Sequence, residues 1–253
     1  MEIKTLLITQ ARTGSSRLPG KVLKTVEGKT LLEIHLNRLK KCKNVSEILV
    51  ATTTEGQDKK ICDLAENLGF RYFRSSEEDV LDRFYQAAKP LNPEWVVRVT
   101  SDCPLLDPEL VDKVISYAQE QKKDYVSNGI EECFPDGQDV EVFTFTALEK
   151  AWKEAQKSSE REHVTPYIRK NSDIMGGELF SAEGYPCEED FSGIRMTVDE
   201  PSDFEMIKKF IRELGTDKSW KEYTDYMIEN GLTEINKGIT RNEGYLKSIE
   251  GEQ

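Results

Sequence analysis

The chain has 253 residues, 37% of them hydrophobic, enough to bury one large α/β core or two small ones. A formal charge of −12 argues against extended binding to nucleic acid or to anionic membranes, and no apolar run approaches the roughly 20 residues of a membrane helix. Residues 1–100 nevertheless hold 17 Lys+Arg against 13 Asp+Glu, while residues 101–253 hold 18 against 34, so a local positive pocket for one small polyanion remains open.

The opening MEIKTLLITQ has neither a basic stretch before its apolar run nor a small-residue cleavage site after it, which reads as a cytoplasmic protein. Cys42, Cys62, Cys103, Cys133 and Cys187 are odd in number and form no CxxC pair, so reduced thiols are expected rather than disulfides or a zinc site.

TLLITQ (5–10) reads as a strand, followed by a helix over 30–42 that opens with the capping box Thr30-x-x-Glu33. EILVATT (47–53) is the next strand, then come helices over 58–68, closed by Gly69, and 78–89. WVVRVT (95–100) leads to a helix over 108–121 with Asp107 as its cap and Pro108 in its first turn, and DYVSN (124–128) is a further strand. Strands separated by helical crossovers of this length predict an open, doubly wound, mostly parallel α/β sheet, which binds ligands at the carboxyl ends of its strands. From about 129 to 195 the pattern becomes an elaboration, with a strand DVEVFTF, helices near 147–157 and 160–170, and a late strand IRMTV (194–198). Helices over 201–214 and 219–230 follow, giving one domain over 1–235, and the polar tail 236–253 reads as an arm or a partly disordered segment.

The first strand runs into Gln10-Ala11-Arg12-Thr13-Gly14-Ser15-Ser16-Arg17-Leu18-Pro19-Gly20-Lys21. Small residues there let backbone N–H groups approach phosphate oxygens, and Arg12, Arg17 and Lys21 can neutralise a triphosphate. It is not a Walker P-loop, because five residues separate Gly14 from Gly20 and Val22 stands where a hydroxyl would be needed. The bland alternative is a surface loop with incidental cations. Asp102 follows WVVRVT at the carboxyl edge of the sheet, where a carboxylate can hold Mg²⁺ against a triphosphate, or it caps a turn before Pro104. Asp79 and Arg83 are four apart and could simply pair along one helix face. Asp136, Gln138, Asp139 and Glu141 suit sugar hydroxyls, or form a solvated acidic turn. His35, inside an amphipathic helix, reads as packed.

These blocks, ARTGSSRLPGKVL, DVLDRF (79–84), RVTSDCPLLDP (98–108), DYVSN, PDGQDVEVF (135–143) and EREHVTPYI (160–168), resemble the spore-coat polysaccharide biosynthesis family of nucleotidyltransferases. That family is related to the CMP-Kdo synthetases and acylneuraminate cytidylyltransferases. The resemblance implies a Rossmann-like fold of the nucleotide-diphospho-sugar transferase type, CTP and a small-molecule acceptor as partners, Mg²⁺ as cofactor, and a homodimer. It implies that Ala11, Arg12, Thr13, Gly14, Ser15, Arg17, Lys21, Arg74, Asp79, Arg83 and Ser101 surround the nucleotide, with Arg12, Lys21 and Asp102 central to catalysis. The segment TVDEPSD nominates Asp199 beside Asp102 as metal ligand, with capping before Pro201 as its alternative. His163 joins Asp136, Gln138, Asp139 and Glu141 on the acceptor side, acting as a base or as a binding group, or lying at the surface. The expected reaction is CMP transfer with release of pyrophosphate for cell-surface polysaccharide synthesis; the alternatives are a metal-dependent glycosyltransferase and a non-catalytic nucleotide-binding subunit. Because no Lys or Arg stands between Lys123 and Lys150, an acceptor with at most one anionic group is expected, held by Arg161, Arg169 or Arg195 if the fold brings them round.

Overall fold

A computed structural model describes residues 3–236 and 238–251. Met1 and Glu2 of the N-terminal stretch, and Lys237, Glu252 and Gln253 of the tail, lie outside the described residues.

The backbone forms β1 (Thr5–Gln10), a small hairpin of β2 (Thr25–Val26) and β3 (Lys29–Thr30), and α1 (Leu31–Leu39). There follow β4 (Glu47–Thr53), α2 (Lys59–Asn67), β5 (Arg71–Ser75), α3 (Val80–Ala88), β6 (Trp95–Thr100) and α4 (Pro108–Gln121). The second half comprises β7 (Tyr125–Ser127), β8 (Glu141–Thr144), α5 (Phe145–Glu154), α6 (Ser158–His163), α7 (Pro166–Lys170) and β9 (Ala182–Gly184). Last come α8 (Pro201–Leu214), α9 (Trp220–Glu229) and α10 (Glu243–Glu250). Among the described residues no helix is long and apolar enough to cross a membrane.

Seven strands make one sheet in the order β5-β4-β1-β6-β8-β7-β9, with β5, β4, β1 and β6 mutually parallel and β8 antiparallel to both β6 and β7. The chain first winds away from β1 toward β5, then crosses back to place β6 on the other side of β1. The reversal opens a crevice where the loops leaving β1 and β6 diverge. Both strands are apolar on two faces because helices cover both: Leu6 and Ile8 pack with Phe84 of α3, while Leu7 and Val97 pack with Val111 and Ile115 of α4. Truncating Phe84, fully buried, to alanine would cost about 3–5 kcal/mol. Caps fix the helices that flank the crevice: Asp79 accepts from the Asp82 N–H at 2.9 Å, and Asp107 from that of Glu109 at 2.9 Å.

Several expectations change. β5 (RYFRS) was not foreseen as a strand; it is a half-exposed edge strand with two arginines and little apolar signal. DVEVFTF shortens to Glu141–Thr144 because Thr144 caps α5, accepting from the Ala147 N–H at 3.1 Å. The helix expected over 160–170 breaks into α6 and α7 at Val164, whose φ of 73° and ψ of −57° close a γ-turn in which the Thr165 N–H donates to the His163 carbonyl at 2.9 Å. IRMTV is buried yet joins no strand of the sheet: its partners are Asp136 on one side and the Asp102 carbonyl, which accepts from the Val198 N–H at 2.8 Å. The tail carries the helix α10. Cys133 and Cys187, 54 residues apart, are joined in a disulfide with their Cα atoms 6.3 Å from one another, so the all-reduced reading is corrected. Cys42, Cys62 and Cys103 are free.

Candidate active site

A cleft of about 1520 Å³ lies at the carboxyl ends of β1, β4 and β6. The parallel ladder ends where the Ala11 N–H donates to the Ala51 carbonyl at 2.9 Å, and the chain then loops out as residues 12–20. Asp58, almost wholly buried, anchors that loop by accepting from the Thr13 N–H at 2.8 Å and the Thr13 hydroxyl at 2.6 Å, and from Thr53 Oγ1 as well. Gly20, with φ 65°, adopts the left-handed turn that swings Lys21 back beneath the loop.

Lys21 Nζ sits 2.7 Å from Asp102 Oδ2 and 2.7 Å from Asp199 Oδ1. Burial alone would pull the Lys21 pKa down, but the two carboxylates outweigh it and hold it above the ordinary lysine value, so the ammonium stays charged. Burial likewise works against the Asp102 carboxylate, and Lys21 overcomes it, leaving the Asp102 pKa well below the usual range. The other Asp199 oxygen accepts from Arg195 Nη2 at 3.0 Å, and Asp203 accepts from the Asp199 N–H at 2.9 Å. Two carboxylates therefore converge on one cation. Among the described residues no cluster of three or more His, Cys, Asp or Glu makes a complete metal cage. Two carboxylates completed by phosphate oxygens and water are the usual protein share of a Mg²⁺ site, and with Lys21 marking the cation position these residues fit that ion.

The other loop cations also face carboxylates. Arg12 Nη1 is 2.6 Å from Glu77 Oε1, and Arg17 lies 3.1 Å from Asp199, 3.5 Å from Glu200 and 3.0 Å from Glu243. Ala11, Gly14, Ser15, Asp79 and Arg83 share the cleft wall. Asp79 and Arg83 do not pair along the helix: Asp79 binds Arg161 at 2.7 Å, and buried Arg83 donates to the Glu77 carbonyl at 3.1 Å. The side chains of Thr13, Arg74 and Ser101 work elsewhere, contrary to their nucleotide-wall reading. Thr13 faces Asp58, Arg74 Nε donates to the Thr53 carbonyl at 2.8 Å, and Ser101 Oγ donates to the Gln10 carbonyl at 2.6 Å.

Of the expected acceptor residues only His163 lines the cleft. Asp136 pairs with Arg195, and Asp139 accepts from Arg241 Nη2 at 2.6 Å. Glu141 binds Arg98 and accepts from the Tyr125 hydroxyl at 2.7 Å. Gln138 is fully buried: its Oε1 accepts from the Asp107 N–H at 2.9 Å and its amide donates to the Leu105 carbonyl at 3.2 Å. Three of the carboxylates in the segment over 123–150, Asp136, Asp139 and Glu141, are therefore paired with arginines from distant positions, which weakens the charge argument for an acceptor with at most one anionic group. Burial, with Asp139 adding to it, pushes the Asp136 pKa up to about 6 against the pull of Arg195. Neither Arg169 nor Arg195 lines the cleft, whereas Arg161 does. His35 is packed as expected: burial lowers its pKa to about 4, so its Nδ1–H donates to the Cys103 carbonyl at 2.9 Å and the Thr9 hydroxyl donates to Nε2 at 2.9 Å.

A family model described as cytidylyltransferase matches residues 6–234. The chain belongs to the cytidylyltransferase family. It is 45% identical to an uncharacterized protein of Methanocaldococcus jannaschii over 98% of this chain and 100% of that protein. With the spore coat polysaccharide biosynthesis protein SpsF of Bacillus subtilis it shares 34% identity over 83% of this chain and 87% of the relative. The structure of a cytidylyltransferase from Leptospira borgpetersenii superposes with a TM-score of 0.84 at 32% identity, covering 95% of this chain and 99% of the other.

Membership makes this chain a nucleotidyltransferase. The Arg12–Lys21 segment borders its cleft, and several residues that hold or line the cleft carried little sequence signal. Asp58 looked like the start of a helix; its role depends on Thr13 folding back over 45 residues of chain. Glu77, Arg161, Glu243 and Lys247 reach this cytidylyltransferase's cleft from β5–α3, α6 and α10, and no single motif joins them.

Proposed function

We propose that this cytidylyltransferase transfers CMP from CTP to a small sugar, sugar acid or sugar phosphate, releasing pyrophosphate, as a step of cell-surface polysaccharide synthesis. The observation that carries the reading is the Lys21 ammonium held between Asp102 and Asp199 beneath a loop that presents Arg12 and Arg17. The similarity to SpsF, a spore coat polysaccharide biosynthesis protein, supports the pathway class.

An acceptor oxygen attacks the α-phosphorus in line, the α–β bridging P–O bond breaks, and the electron pair leaves with pyrophosphate. Arg12, Arg17 and Lys21 receive the β- and γ-phosphates and stabilise the charge that grows on the leaving group. Asp102 and Asp199 are the residues that would hold Mg²⁺, which supplies further charge neutralisation at the phosphates when bound. Burial, reinforced by Arg98 and opposed by Glu162, lowers the His163 pKa, so the ring is neutral near pH 7 and can take the acceptor hydroxyl proton. Cytoplasmic location belongs to the same reading, and a homodimer rests on resemblance.

A pyrophosphate-release screen crossing the four NTPs with sugars, sugar acids and sugar phosphates tests it. Mg²⁺-dependent release with CTP alone is expected. Preference for ATP or GTP removes the cytidylyl assignment, and turnover of a nucleotide-sugar without pyrophosphate makes the protein a glycosyltransferase.

A further inference from the structure

Past the residues that match the family, the chain turns back across the cleft. Arg241 ties it down, donating from Nη1 to the Phe134 carbonyl at 3.0 Å and from Nη2 to Asp139 at 2.6 Å. Asn242, at φ 57°, then turns the backbone into α10. Glu243, Gly244 and Lys247 line the cleft. On the phosphate-loop side Glu243 Oε2 is 3.0 Å from Arg17 Nη1. On the opposite side the Tyr245 ring meets His163 edge to face at 5.1 Å, and Ser248 Oγ lies 3.3 Å from His163 Nε2. One helix thus touches a triphosphate cation and the histidine of the acceptor half.

The two ends of this contact differ in permanence. Asp199 and Glu200, which also face Arg17, lead directly into α8, whose Asp203, Met206, Ile207, Phe210 and Ile211 are buried. No residue of α10 is buried, so Glu243 is carried by an element that can lift away at little apolar cost. A polyphosphate presents several anionic oxygens to a guanidinium and outcompetes one carboxylate there.

We propose that α10 is a clasp: the Glu243 carboxylate occupies Arg17 in place of a phosphate, and polyphosphate binding evicts it and frees α10 from His163. Nucleotide binding then uncovers the acceptor half, which orders the two substrates with the nucleotide first. Because coupling is reciprocal, loosening α10 tightens polyphosphate binding. The inference rests on the nucleotide reading of the cleft.

Titration calorimetry with tripolyphosphate, and with CTP plus Mg²⁺, on the full chain and on Glu243→Gln and Tyr245→Ala tests it, together with hydrogen exchange of residues 243–250. Both variants should bind both ligands about 5-fold tighter, the low end of a coupling free energy between sites. Exchange in α10 of the unmodified protein should rise when either ligand binds. A Glu243 that merely repels phosphate would leave Tyr245→Ala at the parental affinity, and that result overturns the clasp. So does exchange that stays level or falls on binding. If neither ligand binds the unmodified protein, the nucleotide reading itself fails; binding that neither variant changes refutes the clasp alone.

Discussion

Replacing Lys21 by methionine keeps the bulk of the side chain and removes the cation between two carboxylates. Each of the Asp102 and Asp199 oxygens lies 2.7 Å from Nζ, so they are at most twice that distance apart. Two unit charges about 5 Å apart repel by about 3 kcal/mol at an effective dielectric near 20. That dielectric suits groups whose side chains are 11%, 26% and 21% exposed for Lys21, Asp102 and Asp199. Arg17 and Arg195 remain on Asp199, leaving Asp102 as the carboxylate that loses its cation, and water entering the gap relieves part of the strain. The expected loss at about pH 7 is about 2 kcal/mol, between the roughly 0–1 kcal/mol of an exposed ion pair and the roughly 3–5 kcal/mol of breaking a fully buried one. The pH dependence should also change sign. In the unmodified protein the Asp102 pKa is depressed, so its contribution is present above the unfolded carboxylate pKa and is lost as the pH falls toward the folded value. In Lys21→Met the mutual repulsion raises a folded-state carboxylate pKa above its unfolded value, and acidification from about pH 7 to about pH 5 should stabilise the variant. Mg²⁺ should raise the stability of the variant more than that of the parent, because no ammonium has to be displaced. Urea unfolding followed by tryptophan fluorescence, at both pH values with and without MgCl₂, measures all three effects. Equal stability of the two proteins at about pH 7, or a variant that weakens on acidification as the parent does, would refute the charge-pair reasoning.

Asp102→Asn and Asp199→Asn should each still fold but lower turnover on the order of 10²-fold, the scale for losing one charge-stabilising group; near-parental turnover at limiting Mg²⁺ would make that residue a structural partner of Lys21 and no metal ligand. Asp58→Ala strands the Thr13 N–H and the Thr13 and Thr53 hydroxyls, so it should cost about 2–3 kcal/mol in denaturant unfolding. It should also weaken CTP binding in calorimetry. Gln138→Leu should lose about 2 kcal/mol of stability while acceptor KM stays constant, since Gln138 ties the Asp107 N–H to the Leu105 carbonyl; a raised KM at unchanged stability would return Gln138 to the acceptor site.

What could be read in the sequence was what local physics dictates. TLLITQ and WVVRVT are apolar on both faces and admit no solvated edge, and Asp107-Pro108 marks the start of α4 by capping and by a fixed φ. The convergence of Lys21 and Asp102 followed because both leave carboxyl ends of strands that turned out to be neighbours. RYFRS was illegible because an edge strand needs little apolar surface. The acidic turn misled because net charge along a segment says nothing of cations that fold against it. Arg98, Arg195 and Arg241 lie 43, 59 and 102 residues from the carboxylates they neutralise. The Cys133–Cys187 pairing is hidden in the same way, as connectivity is a property of the folded chain.

Val164 carries a consequence for adaptation to heat. A buried β-branched residue at φ 73° is held in a conformation that costs of order 1–3 kcal/mol, and it joins the helix bearing His163 to α7. Glycine at that position would relax the backbone, but it would also empty a wholly buried site in the apolar core, a loss that outweighs the strain relieved, so selection for melting temperature alone would keep a side chain there. The same change would widen the angles at which His163 leaves its helix, spreading the ring over orientations of which few meet an acceptor hydroxyl. Selection for endurance and selection for speed should therefore both keep a bulky side chain there despite its strain.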